Sequence, residues 1–174
     1  MNKTFANRFV CALIDLILKG REAPWKILYI LYRLKYSLPT FVKFNGPGIV
    51  ITGSGVMECS GPVYFSYYSR IFIDEGTSIK IGNGVSLGHY LRIYTSDVRA
   101  KSFILKDKDA DKKIKRNISI GSNVLIGPNV FINKGTIIGD NTIVVANSVL
   151  SGVYVGNSIV SGNPAKVVKS YVNI

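Results

Sequence analysis

One histidine, His89, stands in this chain of 174 residues, and that scarcity excludes several chemistries. A centre that needs three histidine metal ligands is out of reach, and no metal is expected. The two cysteines, Cys11 and Cys59, have no motif spacing, so both read as buried apolar thiols rather than as a disulfide framework. Acidic residues number 10 against 22 Lys and Arg. The net charge of +12 suits a polyanionic small ligand or an anionic membrane surface. Nucleic acid is not expected, because no nucleic-acid-binding motif accompanies the charge. Long hydrophobic runs are missing too. The apolar stretch Phe9 to Leu18 is interrupted by Asp15 and is too short to span a bilayer. No small-residue cleavage site precedes Gly20, so a signal peptide is not expected.

What the chain does have is a period of six. From Ile120 the units read Ile120-Gly-Ser-Asn-Val-Leu, Ile126-Gly-Pro-Asn-Val-Phe, Ile132-Asn-Lys-Gly-Thr-Ile, Ile138-Gly-Asp-Asn-Thr-Ile and Val144-Val-Ala-Asn-Ser-Val, then Leu150-Ser. The fifth places, Val124, Val130, Thr136, Thr142 and Ser148, are all small or β-branched. Neither a helix nor an ordinary alternating strand has this period. A short strand followed by a bend does, and three such units close one triangular coil of a parallel β-helix with the aliphatic residues stacked inside. Gly and Asn at the junctions supply the φ > 0 backbone that sharp corners use. A β-sandwich would place its turns every 8–12 residues instead. The length and 47% apolar content fit one domain with a substantial core.

The organisation expected is a helical segment, 1–43, followed by a β-helix, 44–174. In the first, Phe5, Phe9, Leu13, Leu16 and Ile17 fall at helical spacing, and after Gly20 to Pro24 a second run carries Trp25, Leu28, Tyr29, Tyr32 and Tyr36. Eight Lys or Arg against Asp15 and Glu22 make the segment basic, which suits peripheral contact with a membrane through residues 1–36. The same helices would cap the first coil and cover its open edge. From Phe41 to Ile73 the repeat is imperfect, as in atypical first coils, and it becomes clean at Ile81, Leu87 and Ile93. The next anchor, Ile120, comes so late that about 21 residues must leave the coil. This loop, residues 98–117, carries eight Lys or Arg against three aspartates. Asp107, Asp109 and Asp111 are spaced like the start of a calcium loop, but Lys112 replaces its glycine and Ile118 its closing acid, so calcium is not expected.

The nine in-register units and the ending Val160-Ser-Gly-Asn-Pro-Ala-Lys-Val-Val-Lys169 resemble the hexapeptide-repeat acyltransferases of the sugar O-acetyltransferase type, over residues 71 to 169. The resemblance implies an all-β fold, a left-handed parallel β-helix, an exception to right-handed crossovers. It implies a homotrimer with acetyl-CoA as acyl donor in the groove between adjacent β-helices, and a loop that projects over the neighbouring subunit's site. The expected acceptor is a sugar of a surface polysaccharide such as capsule, O-antigen or exopolysaccharide, or its precursor. The expected location is cytoplasmic, including the inner face of the membrane. By the same resemblance, the pantetheine arm would run along the coils that include Gly127, Ala146, Asn147 and Ser148, with Lys166 and Lys169 near its phosphate end.

Acyl transfer to a hydroxyl needs a base. The resembling motif, Ile-Tyr-Thr-x-x-His, is here Ile93-Tyr94-Thr95-Ser96-Asp97-Val98, with valine where the histidine belongs. Two candidates remain. His89 is the only imidazole, and Asp97 is the ionisable group nearest the expected place; carboxylates as a class need burial to serve as bases near neutrality. The alternative is a non-catalytic binding or scaffold subunit that has lost the base. A β-helical carbonic anhydrase, which needs three histidine ligands, is not expected, nor is a sugar nucleotidyltransferase, whose additional nucleotide-binding domain would not fit within 174 residues.

Overall fold

The computed structural model describes Gly20 and residues 24–106 and 113–171. The expected first helix, Cys11 and the three loop aspartates lie outside these residues. The second helix, α1, spans residues 24–35. The chain then winds into coils of three short strands. The first coil holds β1 (Val42–Asn45), β2 (Val50–Gly53) and β3 (Val56–Cys59), and the second β4 (Val63–Ser66), β5 (Arg70–Ile73) and β6 (Ser78–Ile81). The third begins with β7 (Val85–Leu87) and β8 (Arg92–Tyr94), then leaves the helix through β9 (Ser96–Val98), α2 (Ala100–Ile104) and β10 (Lys113–Lys115) before β11 (Ile118–Ile120) completes it. The fourth coil is β12 (Leu125–Ile126), β13 (Phe131–Ile132) and β14 (Ile137–Ile138); the fifth is β15 (Thr142–Val144), β16 (Val149–Leu150) and β17 (Val153–Tyr154). The chain ends in β18 (Ser158–Gly162) and β19 (Ala165–Ser170).

Equivalent strands pair in parallel and form three faces. The first face runs β1-β4-β7-β12-β15-β18, the second β2-β5-β8-β13-β16, the third β3-β6-β11-β14-β17. The anchors Ile120, Ile126, Ile132, Ile138, Val144 and Leu150 all point inward and are at most 2% exposed. Burying each such side chain contributes about 1.5–3 kcal/mol. The fifth-place residues are buried with them, and their hydroxyls stay satisfied by bending back: Thr136 donates to the Asn133 carbonyl at 2.6 Å, Thr142 to Gly139 at 2.8 Å and Ser148 to Val145 at 2.6 Å. The regular coil is 18 residues, as in the step from Asn123 to Asn141, and the last shortens to 16, from Asn141 to Asn157.

Both ends are covered. Helix α1 lays Tyr29 and Tyr32 on the first coil and the turn after it adds Tyr36, with Tyr29 stacked on Phe44 at 4.6 Å and Phe44 on Phe65 at 5.6 Å. The Tyr29 hydroxyl donates to the Gly46 carbonyl at 2.6 Å, and Tyr36 donates to Gly53 at 2.9 Å. Its opposite face leaves Ile27, Ile30, Leu31 and Leu34 each more than half exposed. At the other end β19 folds back antiparallel on β18 around Asn163 and Pro164. Among the described residues no helix is long and apolar enough to cross a membrane.

Candidate active site

The turns between the first and second faces stack into a column, the first corner. Successive coils place there Tyr67 and Tyr68, His89 and Tyr90, Pro128 and Asn129, then Ala146 and Asn147. Backbone hydrogen bonds continue through the corner: Tyr90 N–H to Tyr67 O at 2.9 Å, Asn129 N–H to His89 O at 2.8 Å, Asn147 N–H to Pro128 O at 3.0 Å. The coils approach too closely here for a side chain, since a Cβ on Gly88 would fall 2.6 Å from the Gly127 carbonyl carbon, and one on Gly127 2.6 Å from the Ala146 nitrogen. Beside coils four and five the column offers close-packed backbone and the side chains of Asn129 and Asn147, the first donating to the second at 2.8 Å.

His89 is exposed at the midpoint of the column. Its ring rests against Tyr67, centroids 5.0 Å apart and tilted by 56°. Among the described residues its ring nitrogens have no hydrogen-bond partner, so they are open to an incoming group. Beside it, on the second face, Tyr68, Arg70, Tyr90 and Arg92 line a cavity of about 280 Å³. Tyr68 and Tyr90 stack at 5.4 Å, and both adopt left-handed backbone, φ 58° and 57°. The equivalent places in coils four and five are Asn129 and Asn147, with φ 55° and 62°. Asparagine tolerates that conformation, whereas a tyrosine there is strained by about 1–3 kcal/mol.

The loop leaves from the second corner, between the second and third faces. There Asp74 is buried under β10, 3.3 Å from Lys113 Nζ and 3.2 Å from Lys115 Nζ. Burial opposes its charge, but hydrogen bonds from Ser96, Lys115, Lys113 and the Glu75 N–H outweigh that and hold the carboxyl down at about 2. Thr95 is fully buried beside it and accepts from the Asp74 N–H at 2.9 Å and from the Thr77 hydroxyl at 2.6 Å. Asp97 is exposed, accepts from the Val98 N–H at 2.7 Å and pairs with Lys134 at 3.3 Å. Val98 pairs with Lys113 across β9 and β10 and is 47% exposed.

Of the residues singled out from sequence, His89, Gly127, Ala146 and Asn147 share the first corner. Asp97 does not; it lies past the other end of β8. Ser148 follows the corner inward, its side chain fully buried and bonded to Val145, so only its backbone could meet a ligand. Lys166 and Lys169 stand exposed on β19, opposite Ser161 and Ile159. Cys59 is no nucleophile, since burial pushes its thiol up to about 11. Among the described residues no cluster of three His, Cys, Asp or Glu could hold a metal. The tyrosine and arginine cavity was missed in the sequence, although Tyr68 and Arg70 recur as Tyr90 and Arg92 one coil later.

Residues 117–152 match the family model described as bacterial transferase hexapeptide (six repeats). Over this stretch the chain resembles hexapeptide-repeat transferases. No curated protein sequence matches it. Among solved structures it resembles a hexapeptide-repeat-containing acetyltransferase from Vibrio cholerae, with 25% identity and a TM-score of 0.55 over 82% of this chain and 80% of that one. A galactoside acetyltransferase solved in complex with coenzyme A gives a TM-score of 0.63 at 21% identity, over 88% and 82%. A maltose O-acetyltransferase from Clostridium difficile 630 gives 0.54 at 24%, over 91% and 90%. The fold is the left-handed parallel β-helix expected of hexapeptide repeats.

Proposed function

We propose that this acetyl-CoA-dependent acetyltransferase transfers the acetyl group to a sugar hydroxyl in surface polysaccharide biosynthesis, with His89 as the base. The observation that carries this reading is the order of groups along the first corner. The tyrosine and arginine cavity lies beside His89 on the second face, across the second and third coils, and the close-packed turns of Gly127, Ala146 and Asn147 lie above it in the fourth and fifth. Acceptor and donor can thus approach one imidazole from different directions. The Vibrio cholerae acetyltransferase supports the acyl transfer, and the galactoside and maltose enzymes, similar in fold, support a sugar acceptor.

In this reading a neutral His89 nitrogen takes the sugar hydroxyl proton as that oxygen bonds to the thioester carbonyl carbon. The imidazolium then returns the proton to the CoA sulfur as the C–S bond breaks. CoA lies along coils four and five with its phosphates toward Lys166 and Lys169. A homotrimer supplies the second wall of the groove, since one β-helix is too slim to enclose CoA. The test is CoA release with a panel of sugars, which this account expects only in the presence of an acceptor with a free hydroxyl.

One observation favours a second reading, a non-catalytic scaffold: Val98 stands where the resembling motif has its histidine, and Asp97 beside it is engaged by Lys134. Absence of CoA release across the panel would select it. We also propose peripheral membrane contact at the cytoplasmic face through residues 1–36. It is supported by the exposed stripe Ile27, Ile30, Leu31 and Leu34, flanked by the exposed cations Lys26 and Lys35.

A further inference from the structure

We infer that Tyr68, Arg70, Tyr90 and Arg92 form a binding site for an acidic sugar ring, one that carries a carboxylate or a phosphate ester. The inference rests on the sugar acetyltransferase reading above and specifies its acceptor. Arg70 and Arg92 are direct partners across the parallel strands β5 and β8. Neighbouring strands lie about 4.8 Å apart, and like charges directly opposite destabilise a sheet. No described carboxylate forms an ion pair with either guanidinium. The residues before and after them in the same row are Val50 and Phe131, so the face itself supplies no counter-charge. Two unneutralised guanidinium groups in register form a ready receptor for one anion, held by paired N–H donors.

The second observation is independent of charge. The repeat fills the left-handed corner place with asparagine in the fourth and fifth coils, yet with tyrosine in the second and third. Strained backbone concentrates at binding and catalytic sites. Here the strain stacks two rings, 44% and 55% exposed, at the mouth of the arginine pair. An aromatic face with a polar tip beside cations accommodates a ring with one apolar side and an anionic substituent. At about 280 Å³ the cavity is at the small end for ligand sites, which suits a single ring. His89 directly precedes Tyr90 in the same corner, beside the cavity rather than among its lining residues.

The test is binding measured by titration calorimetry on the full chain without acetyl-CoA, using glucuronic acid, glucose 1-phosphate, glucose and inorganic phosphate. The expectation is that glucuronic acid or glucose 1-phosphate binds at least tenfold more tightly than glucose, and more tightly than phosphate, with affinity falling as salt rises. Whichever of the two is tighter distinguishes a uronate from a sugar phosphate. Arg92→Ala and Arg70→Ala, both at exposed positions, should each cost tenfold or more. Tyr90→Asn should weaken binding and raise the melting temperature, because it removes strain. Equal affinity for acidic and neutral sugars, tightest binding by phosphate alone, or arginine variants that bind like the parent would overturn the inference. The transferase reading is scored separately, by CoA release: a chain that acetylates neutral sugars keeps that reading and loses this one. One that binds acidic sugars through these residues without CoA release does the reverse.

Discussion

Asp97 holds Lys134 at 3.3 Å, at the far end of β8 from His89. The pair ties the first strand of the loop to the fourth coil, and it separates the two candidate bases by a whole face of the triangle. Because Asp97 is mostly exposed, the tie is of the surface kind, worth about 0.2–1 kcal/mol. A double-mutant cycle with Asp97→Asn and Lys134→Ala, read by urea denaturation, should give a coupling of that size. A coupling near zero would mean that the contact holds nothing.

Asp74 makes the loop sensitive to acid. Its carboxyl is depressed to about 2 in the folded protein from an ordinary value near 3.8. The stabilisation is therefore fully present above pH ~4 and is lost as pH falls toward 2. Thermal melts from pH 6 to pH 2 should show the parent losing stability in that window. Asp74→Asn should start lower by about 1–3 kcal/mol and have a flatter profile. Identical pH profiles for the two proteins would contradict the assignment.

The repeat was legible because six residues per unit put one aliphatic anchor and one small partner inside at every step, and both places are buried in the structure. Less visible was the shortening after Leu150, where Tyr154 rather than an aliphatic residue takes the next inward place. The first corner was half legible. Gly127, Ala146 and Asn147 belong to clean units. Tyr68, Arg70, Tyr90 and Arg92 recur at the longer spacing of the early coils, as Val63 pairing with Val85 shows, and so fall outside the period of six. His89 was named, but its exposure was not readable, since the third place of a unit falls either inside or at a corner.

A trimer is expected, because the proposed CoA groove needs a second wall. Light scattering at micromolar concentration should give three times the 19.1 kDa chain mass. A monomer throughout would remove the groove and the CoA path with it.

Helix α1 should bring the full-length protein to anionic vesicles at low salt and release it as salt rises. Replacing Ile30 and Leu34 by Ser, both exposed, should weaken cosedimentation without lowering the melting temperature. Failure of the parent protein to cosediment would leave the helix as a cap only.

The central claim is that His89 is the base, and single-turnover and steady-state assays of His89→Ala test it most directly. Loss of a general base costs about 10²–10⁴-fold, so kcat should fall by that much while acetyl-CoA affinity stays near the parental value. A His89→Ala protein that turns over at the parental rate would contradict the account and move the search to Asp97.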